Sequence, residues 1–182
     1  MLNRNDMLFL LSELDRLSGA DGVILEIDIY GGSAFLLAYD SRAVSKDIDA
    51  IIRPESEAKR YVIQLAEKHG LPDDWLNSSV CQFLTPLTPS LRKLDIGDFA
   101  HLRMRVPTAK YLLALKAKAC REPIGKVGGD YEDIRFLVNK MEIKGVSEIQ
   151  DAIDAFFLDD PLTNEQEHVL QNIVQSANGP RL

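Results

Sequence analysis

Cysteine is scarce in this 182-residue chain: Cys81 and Cys120 lie far apart, with no second cysteine or histidine at metal-ligand spacing. That pattern supports neither a zinc site nor a disulfide framework, and it fits reduced thiols in a cytosol, so a cytoplasmic location is expected. Histidine is nearly as sparse. His69, His101 and His168 are scattered, and none is given a role. Positive charge is also short, with 21 Lys and Arg against 28 Asp and Glu and a net charge of −7. This excludes a generally basic, nucleic-acid-coating surface; a polyanionic partner must be met locally, by a basic groove or through a metal. Long apolar runs are missing too. In "MLNRNDMLFLLSELDRL" acids interrupt the apolar residues within a turn or two and no small-residue cleavage site follows, so neither a signal peptide nor a membrane span is expected. The chain has no internal repeat, low-complexity tract or long linker.

What is present is enough apolar material for a core, since hydrophobic residues make up 46% of the chain. Met7, Leu8, Leu11, Leu14 and Leu17 recur at helical spacing from Asp6 to about Ser18, and "GADG" then stops the helix. "VILEIDIY" alternates, with Val23, Leu25, Ile27 and Ile29 on one face and Ile24, Glu26, Asp28 and Tyr30 on the other, which predicts a strand. "SAFLLAY" reads as a short helix, "KDIDAIIR" as a second strand and "ESEAKRYVIQLAEKHG" as a helix ended by Gly70, giving the order βαβα. "LRKLDI" and "FAHLRMRV" suggest further strands, and Pro107 is expected to begin the helical "PTAKYLLALKAKAC". "DYEDIRFLVNKM", "VSEIQDAIDAFF" and "TNEQEHVLQNIVQSA" are each periodic as helices. The expected class is α/β (α+β): a mixed-sheet core over residues 1–106, then a helical region over 107–182 packed as one unit with it.

The stretch "YGGSAFLLAYDSRAVSKDIDAI" carries the chemistry. A strand running through Gly31 and Gly32 into a helix at Ser33 leaves backbone N–H groups at the positive end of the helix dipole, a cradle suited to phosphate. Asp47 and Asp49 are two residues apart on the next predicted strand, so both carboxylates aim at one face while Ile48 and Ala50 point into the core. Paired carboxylates beside a phosphate cradle suit magnesium, which takes carboxylate oxygens together with the phosphates of its substrate.

Those residues resemble the Gly-Ser, spacer, Asp-x-Asp signature of the polymerase-beta-like nucleotidyltransferase superfamily, and the "SKDID" ending resembles its AbiEii-like toxin and related bacterial branches. "AKYLLALKAKA" is similar to that branch's helical lysine motif, "GGDYEDIRFLV" to its later aspartate motif, and "LPDDWLNSSV" to a segment of uncharacterised members. The likeness extends roughly from Val23 to Val138. "FAHLRMRV" lacks the third carboxylate that polymerase-like members carry on a later strand, so the AbiEii-like branch is the better match. The resemblance implies a nucleotidyltransferase-like core in which Asp47 and Asp49 bind Mg2+ (or Mn2+). Gly31, Gly32, Ser33 and Arg42 then hold the nucleotide, and Lys116 and Asp130 complete the catalytic set. It further implies transfer of a nucleoside monophosphate from an NTP to a hydroxyl acceptor on tRNA or a partner protein, within a toxin-antitoxin or phage-defence pair. The alternative is an inactive nucleotide-binding module serving as partner subunit.

Each residue also has a plainer reading. Gly-Gly-Ser is a common turn, and an alternating acid pair is a common solvent face. Lys116, one turn after Leu112, snorkels readily to water, and Lys110 and Lys118 compete with it as the functional amine. Asp130 stands where a helix N-cap belongs, with Asp133 one turn later as its competitor. Arg42 is in a loop, where arginines are usually solvated.

Overall fold

The computed structural model describes residues 1–120 and 129–179 and has the α+β architecture expected. It divides into two compact units, Met1–Gln82 with Leu91–Pro107, and Phe83–Ser90 with the chain from Thr108 onward. The division at Pro107 lies one residue from the boundary expected, but the segment 83–90 joins the helical unit.

In the first unit, β1 (Leu2–Asn3) leads into α1 (Arg4–Ala20). The helix starts two residues earlier than its apolar spacing predicts because Asn3 caps it. The Asn3 side chain accepts from the N–H groups of Asn5 and Asp6 at 2.8 and 3.0 Å, and the Asp6 carboxylate accepts from the Asn3 N–H at 2.9 Å. The stop falls at "GADG" as expected. Val23 N–H reaches back to Ser18 O and Gly22 N–H to Gly19 O, with Gly22 at φ +67°.

The main sheet runs β5 (Leu76–Asn77), β4 (Ile48–Arg53), β2 (Leu25–Ile29), β7 (Leu102–Pro107), β6 (Leu91–Lys93). Strand β2 is central, antiparallel to β4 and parallel to β7. The register places Ile27 between Ile52 and Met104, so one face is apolar and fully buried at Leu25, Ile27, Ile29, Ile48 and Val106. The core of this unit joins that face to the apolar stripes of α1 (Met7, Leu10, Leu11, Leu14), α2 (Gly31–Ala38) and α3 (Glu55–His69). Burying each such side chain contributes roughly 1.5–3 kcal/mol. The opposite face collects charge: Glu26 pairs across with Arg103 and Arg53, and Asp28 with Arg105. Helix α3 ends at Gly70 in the left-handed conformation, as predicted, with Lys68 and His69 in its last turn.

The strands the sequence does not announce are two residues long: β1, β5 and β3 (Val44–Ser45). They exist by pairing, β1 with β3 and β5 with β4, and so carry no periodicity. One expectation is corrected outright. Pro107 does not begin a helix; it closes β7 opposite Leu91.

The second unit holds α4 (Ala109–Ala119), α5 (Gly129–Lys140), α6 (Val146–Asp154) and α7 (Asn164–Asn178). Its core is Tyr111, Leu113, Ile134, Leu137, Ile149, Ile153, Leu170 and Ile173, all fully buried. Segment 83–90 is bound to it by polar contacts. Thr85 N–H donates to the Tyr111 hydroxyl at 3.1 Å, the Thr85 hydroxyl donates to Phe156 O, and Thr108 N–H donates to Ser90 O at 2.9 Å.

Candidate active site

Strand β2 hands over to α2 through Tyr30, whose backbone is tied on both sides. Its N–H donates to Asp49 O at 2.8 Å, and its carbonyl accepts from Ala34 N–H at 3.1 Å and from the Ser33 hydroxyl at 2.8 Å. Gly31 follows at φ +58°, a conformation that only glycine takes without strain. A Cβ there would lie 2.3 Å from Asp49 Oδ2, so the carboxylate sits directly against the first residue of the helix. A Cβ at Gly32 would lie 2.9 Å from Arg42 Nη1 and 2.8 Å from Ser45 Oγ. The two glycines thus admit a carboxylate on one side and a guanidinium on the other, at the positive end of α2.

The loop carrying Arg42 is held in place by neighbours. Ser41 N–H donates to Phe35 O at 3.2 Å, and β1 pairs with β3 so that Leu2 lies beside Ser45. At the other end of α2, the Arg4 guanidinium donates to the Leu36 and Leu37 carbonyls at 2.8 and 2.9 Å, satisfying acceptors that a helix end leaves open.

Of the residues expected here, Gly31, Gly32, Arg42 and Asp49 are brought together. Three others need correction. Ser33 is fully buried with its hydroxyl turned inward onto Tyr30 O, so only its backbone is available to an anion. Asp47 stands in the bend before β4, which begins at Ile48; burial still alternates, with Asp47 and Asp49 half-buried and Ile48 and Ala50 buried. Asp130 is not an N-cap but the second residue of α5, and Gly128 before it lies outside the described residues.

Lys116, Asp130 and Asp133 belong to the helical unit. Lys116 Nζ lies 2.5 Å from Asp130 Oδ1 and 2.9 Å from Asp133 Oδ2, and Asp133 is only 2% exposed. The lysine therefore does not snorkel: it neutralises a buried carboxylate and ties α4 to α5. Lys118 pairs with Asp160 and lies over the Phe157 ring at 4.4 Å, with its pKa lowered by desolvation, whereas Lys110 is exposed. Burial pushes the Cys120 thiol up to about 11, so it stays protonated at neutral pH.

One cluster escaped the sequence. Asp28, 3% exposed, accepts from Arg105 Nε at 2.7 Å and Nη2 at 3.0 Å, and from Arg53 Nη1 at 3.3 Å. The carboxylate in turn raises the Arg105 pKa. The signal was the alternation in "LRMRV", which puts Arg103 and Arg105 on one face, but only the register sets Asp28 opposite Arg105 on one side, with Arg53 reaching it from β4.

No family model matches the chain, and neither a curated protein nor a solved structure is significantly similar to it.

Proposed function

We propose that this chain is a magnesium-dependent nucleotidyltransferase of the polymerase-beta-like, AbiEii-like kind, moving a nucleoside monophosphate from an NTP to a hydroxyl on an RNA or protein acceptor, with pyrophosphate as the leaving group. The observation that carries this reading is the meeting of Asp49, Arg42 and the two glycines at the start of α2. Backbone N–H groups at Gly31, Gly32 and Ser33, in the first turn of α2, would receive an anion, and the Arg42 guanidinium would add a bidentate donor for phosphate oxygens. Asp49 already supplies the negative charge a helix N-terminus favours, so a phosphate entering beside it meets repulsion unless a cation is shared. Asp47 and Asp49, half-buried in alternation with the buried Ile48 and Ala50, would hold such a cation by hard oxygen ligands, with substrate phosphates and water filling the remaining positions. When bound, the metal supplies Lewis-acid polarisation of the phosphoryl oxygens. The chain's own part is positioning, with the glycines allowing close approach, Arg42 orienting the triphosphate, and Asp47 or Asp49 accepting the proton of the acceptor hydroxyl. Lys116 and Asp130 are read as structural partners and given no transfer step. The biological setting proposed is a toxin-antitoxin or phage-defence pair.

The test is incubation with magnesium, each radiolabelled NTP and cellular RNA or extract. Wild type is expected to label an acceptor, and Asp49→Asn, which keeps the shape and loses the charge, is expected to label none. Saturable NTP binding without incorporation would support the inactive module instead. Neither binding nor incorporation with any NTP defeats both readings.

A further inference from the structure

Strand β4 has a second edge that its neighbour does not cover. On one side β4 pairs with β2 along Ala50–Arg53; on the other, β5 meets it only at Ile48 and Asp49. The Asn77 side chain ends β5 there, donating to Asp74 O at 3.0 Å and accepting from Ser79 N–H at 2.9 Å, which turns the chain away from the sheet. Backbone direction alternates along an antiparallel ladder. Tyr30 N–H donates to Asp49 O, so Asp49, Ile51 and Arg53 face β2; Ile48, whose N–H donates to Trp75 O, faces β5, and Ala50 and Ile52 face the same way. Past Asn77 no strand among the described residues meets Ile52, leaving its N–H and C=O aimed outward.

They open into a groove of about 680 Å³ in the first unit. Its apolar walls include Ala58, Val62 and Leu76, together with Ile63, which is 41% exposed. Its rim is acidic, with Glu55, Asp73 and Asp74 against Lys59. An open strand edge, an apolar wall and a negative rim together suit one kind of occupant. An extended segment pairs its backbone with the edge, seats alternate apolar side chains against the wall, and presents basic side chains to the carboxylates.

We propose that this groove binds an extended, basic and apolar segment of a partner protein as an added strand beside Ala50–Ile52, in line with β5. The proposal stands whether or not the chain transfers nucleotides. An edge of this kind invites pairing, and no proline interrupts it: Pro54 lies beyond the strand's end, and the three residues from Ala50 to Ile52 carry no charge.

The probe is a fluorescein-labelled hexapeptide of alternating valine and lysine, capped at both ends, titrated by anisotropy. Saturable micromolar binding is expected, together with at least about tenfold weaker binding of the valine–glutamate peptide. N-methylating alternate backbone nitrogens should abolish binding for one of the two alternating sets and spare the other, because a strand edge reads only one. Hydrogen exchange of the Ile52 amide should slow when the peptide is bound. The exposed double variant Asp73→Lys, Asp74→Lys, with an unchanged melting curve, should weaken the basic peptide at least about tenfold. Absence of saturation at millimolar peptide, equal binding of the acidic peptide, or indifference to both methylation patterns overturns the proposal. So does a concentration-dependent dimer that already protects Ile52, which would assign the edge to a second copy of the chain.

Discussion

Gly31 and Gly32 are adjacent yet constrained differently, and the difference separates folding from binding. Gly31 has both a left-handed backbone and a carboxylate where a Cβ would go. Gly31→Ala is therefore expected to destabilise the native state by about 1–3 kcal/mol, read by denaturant unfolding. Gly32 has ordinary backbone, and its nearest neighbours are the Ser45 hydroxyl and the far end of Arg42. Gly32→Ala should fold with a small loss and push the guanidinium aside. Under the proposed function its NTP affinity falls at least tenfold, measured by calorimetry, while its melting temperature moves little. A variant that binds NTP normally would remove Arg42 and Gly32 from the site. At the same scale, Asp28 holds two arginines and is itself buried. Asp28→Asn should cost about 2 kcal/mol by chemical denaturation, the worth of charge-assisted bonds lost.

Helix pairing gives two further tests. Lys116 joins α4 to α5 through Asp130 and the buried Asp133. Removing the ammonium takes away the cation 2.9 Å from the buried Asp133 carboxylate, so Lys116→Met is expected to destabilise by about 3 kcal/mol. The double variant Lys116→Met, Asp133→Asn should recover much of the loss. A single variant as stable as wild type would free the lysine for another role. Between α1 and α3, Glu13 meets Lys68, and Arg16 adds to it from α1 itself. These cations lower the Glu13 pKa from 4.5 to about 2, with the Lys68 contact the largest cause. A depressed acid contributes stability above its unfolded pKa and loses it as pH falls through the folded one. Glu13→Gln should therefore be less stable than wild type at pH 7 by about 1 kcal/mol, allowing for screening of its half-exposed partners. The gap should close between about pH 4.5 and 2, as followed by urea unfolding.

For the whole chain, no described helix is long and apolar enough to cross a membrane. Under the proposed function, magnesium with the correct NTP binds only the native state. At a hundredfold excess over the dissociation constant it should add roughly 2.7 kcal/mol, seen as a rise in melting temperature that Asp49→Asn abolishes. Magnesium alone should give a smaller rise, because Asp47 and Asp49 supply only part of its shell. A net charge of −7 also predicts that the NTP's affinity without divalent cation improves as salt screens long-range repulsion.

Much of this was legible in the residues. The period of two in "VILEIDIY" and "LRMRV", the apolar stripes of α1 and α3 and the stop at Gly70 are local properties, set by steric and capping rules that need no distant partner. The two glycines that open α2 were visible for the same reason, although sequence alone places them at the end of the strand and begins the helix at Ser33. What the tertiary structure decided is who stands next to whom. It placed Asp49 against Gly31 and Arg42 against Gly32, turned the Ser33 hydroxyl inward, sank Asp28 beneath two arginines and gave Lys116 two carboxylates. It also created strands of two residues and left Ile52 facing a groove. These depend on register and on contacts distant in sequence, and periodicity reports which face a side chain takes without naming what it will meet there.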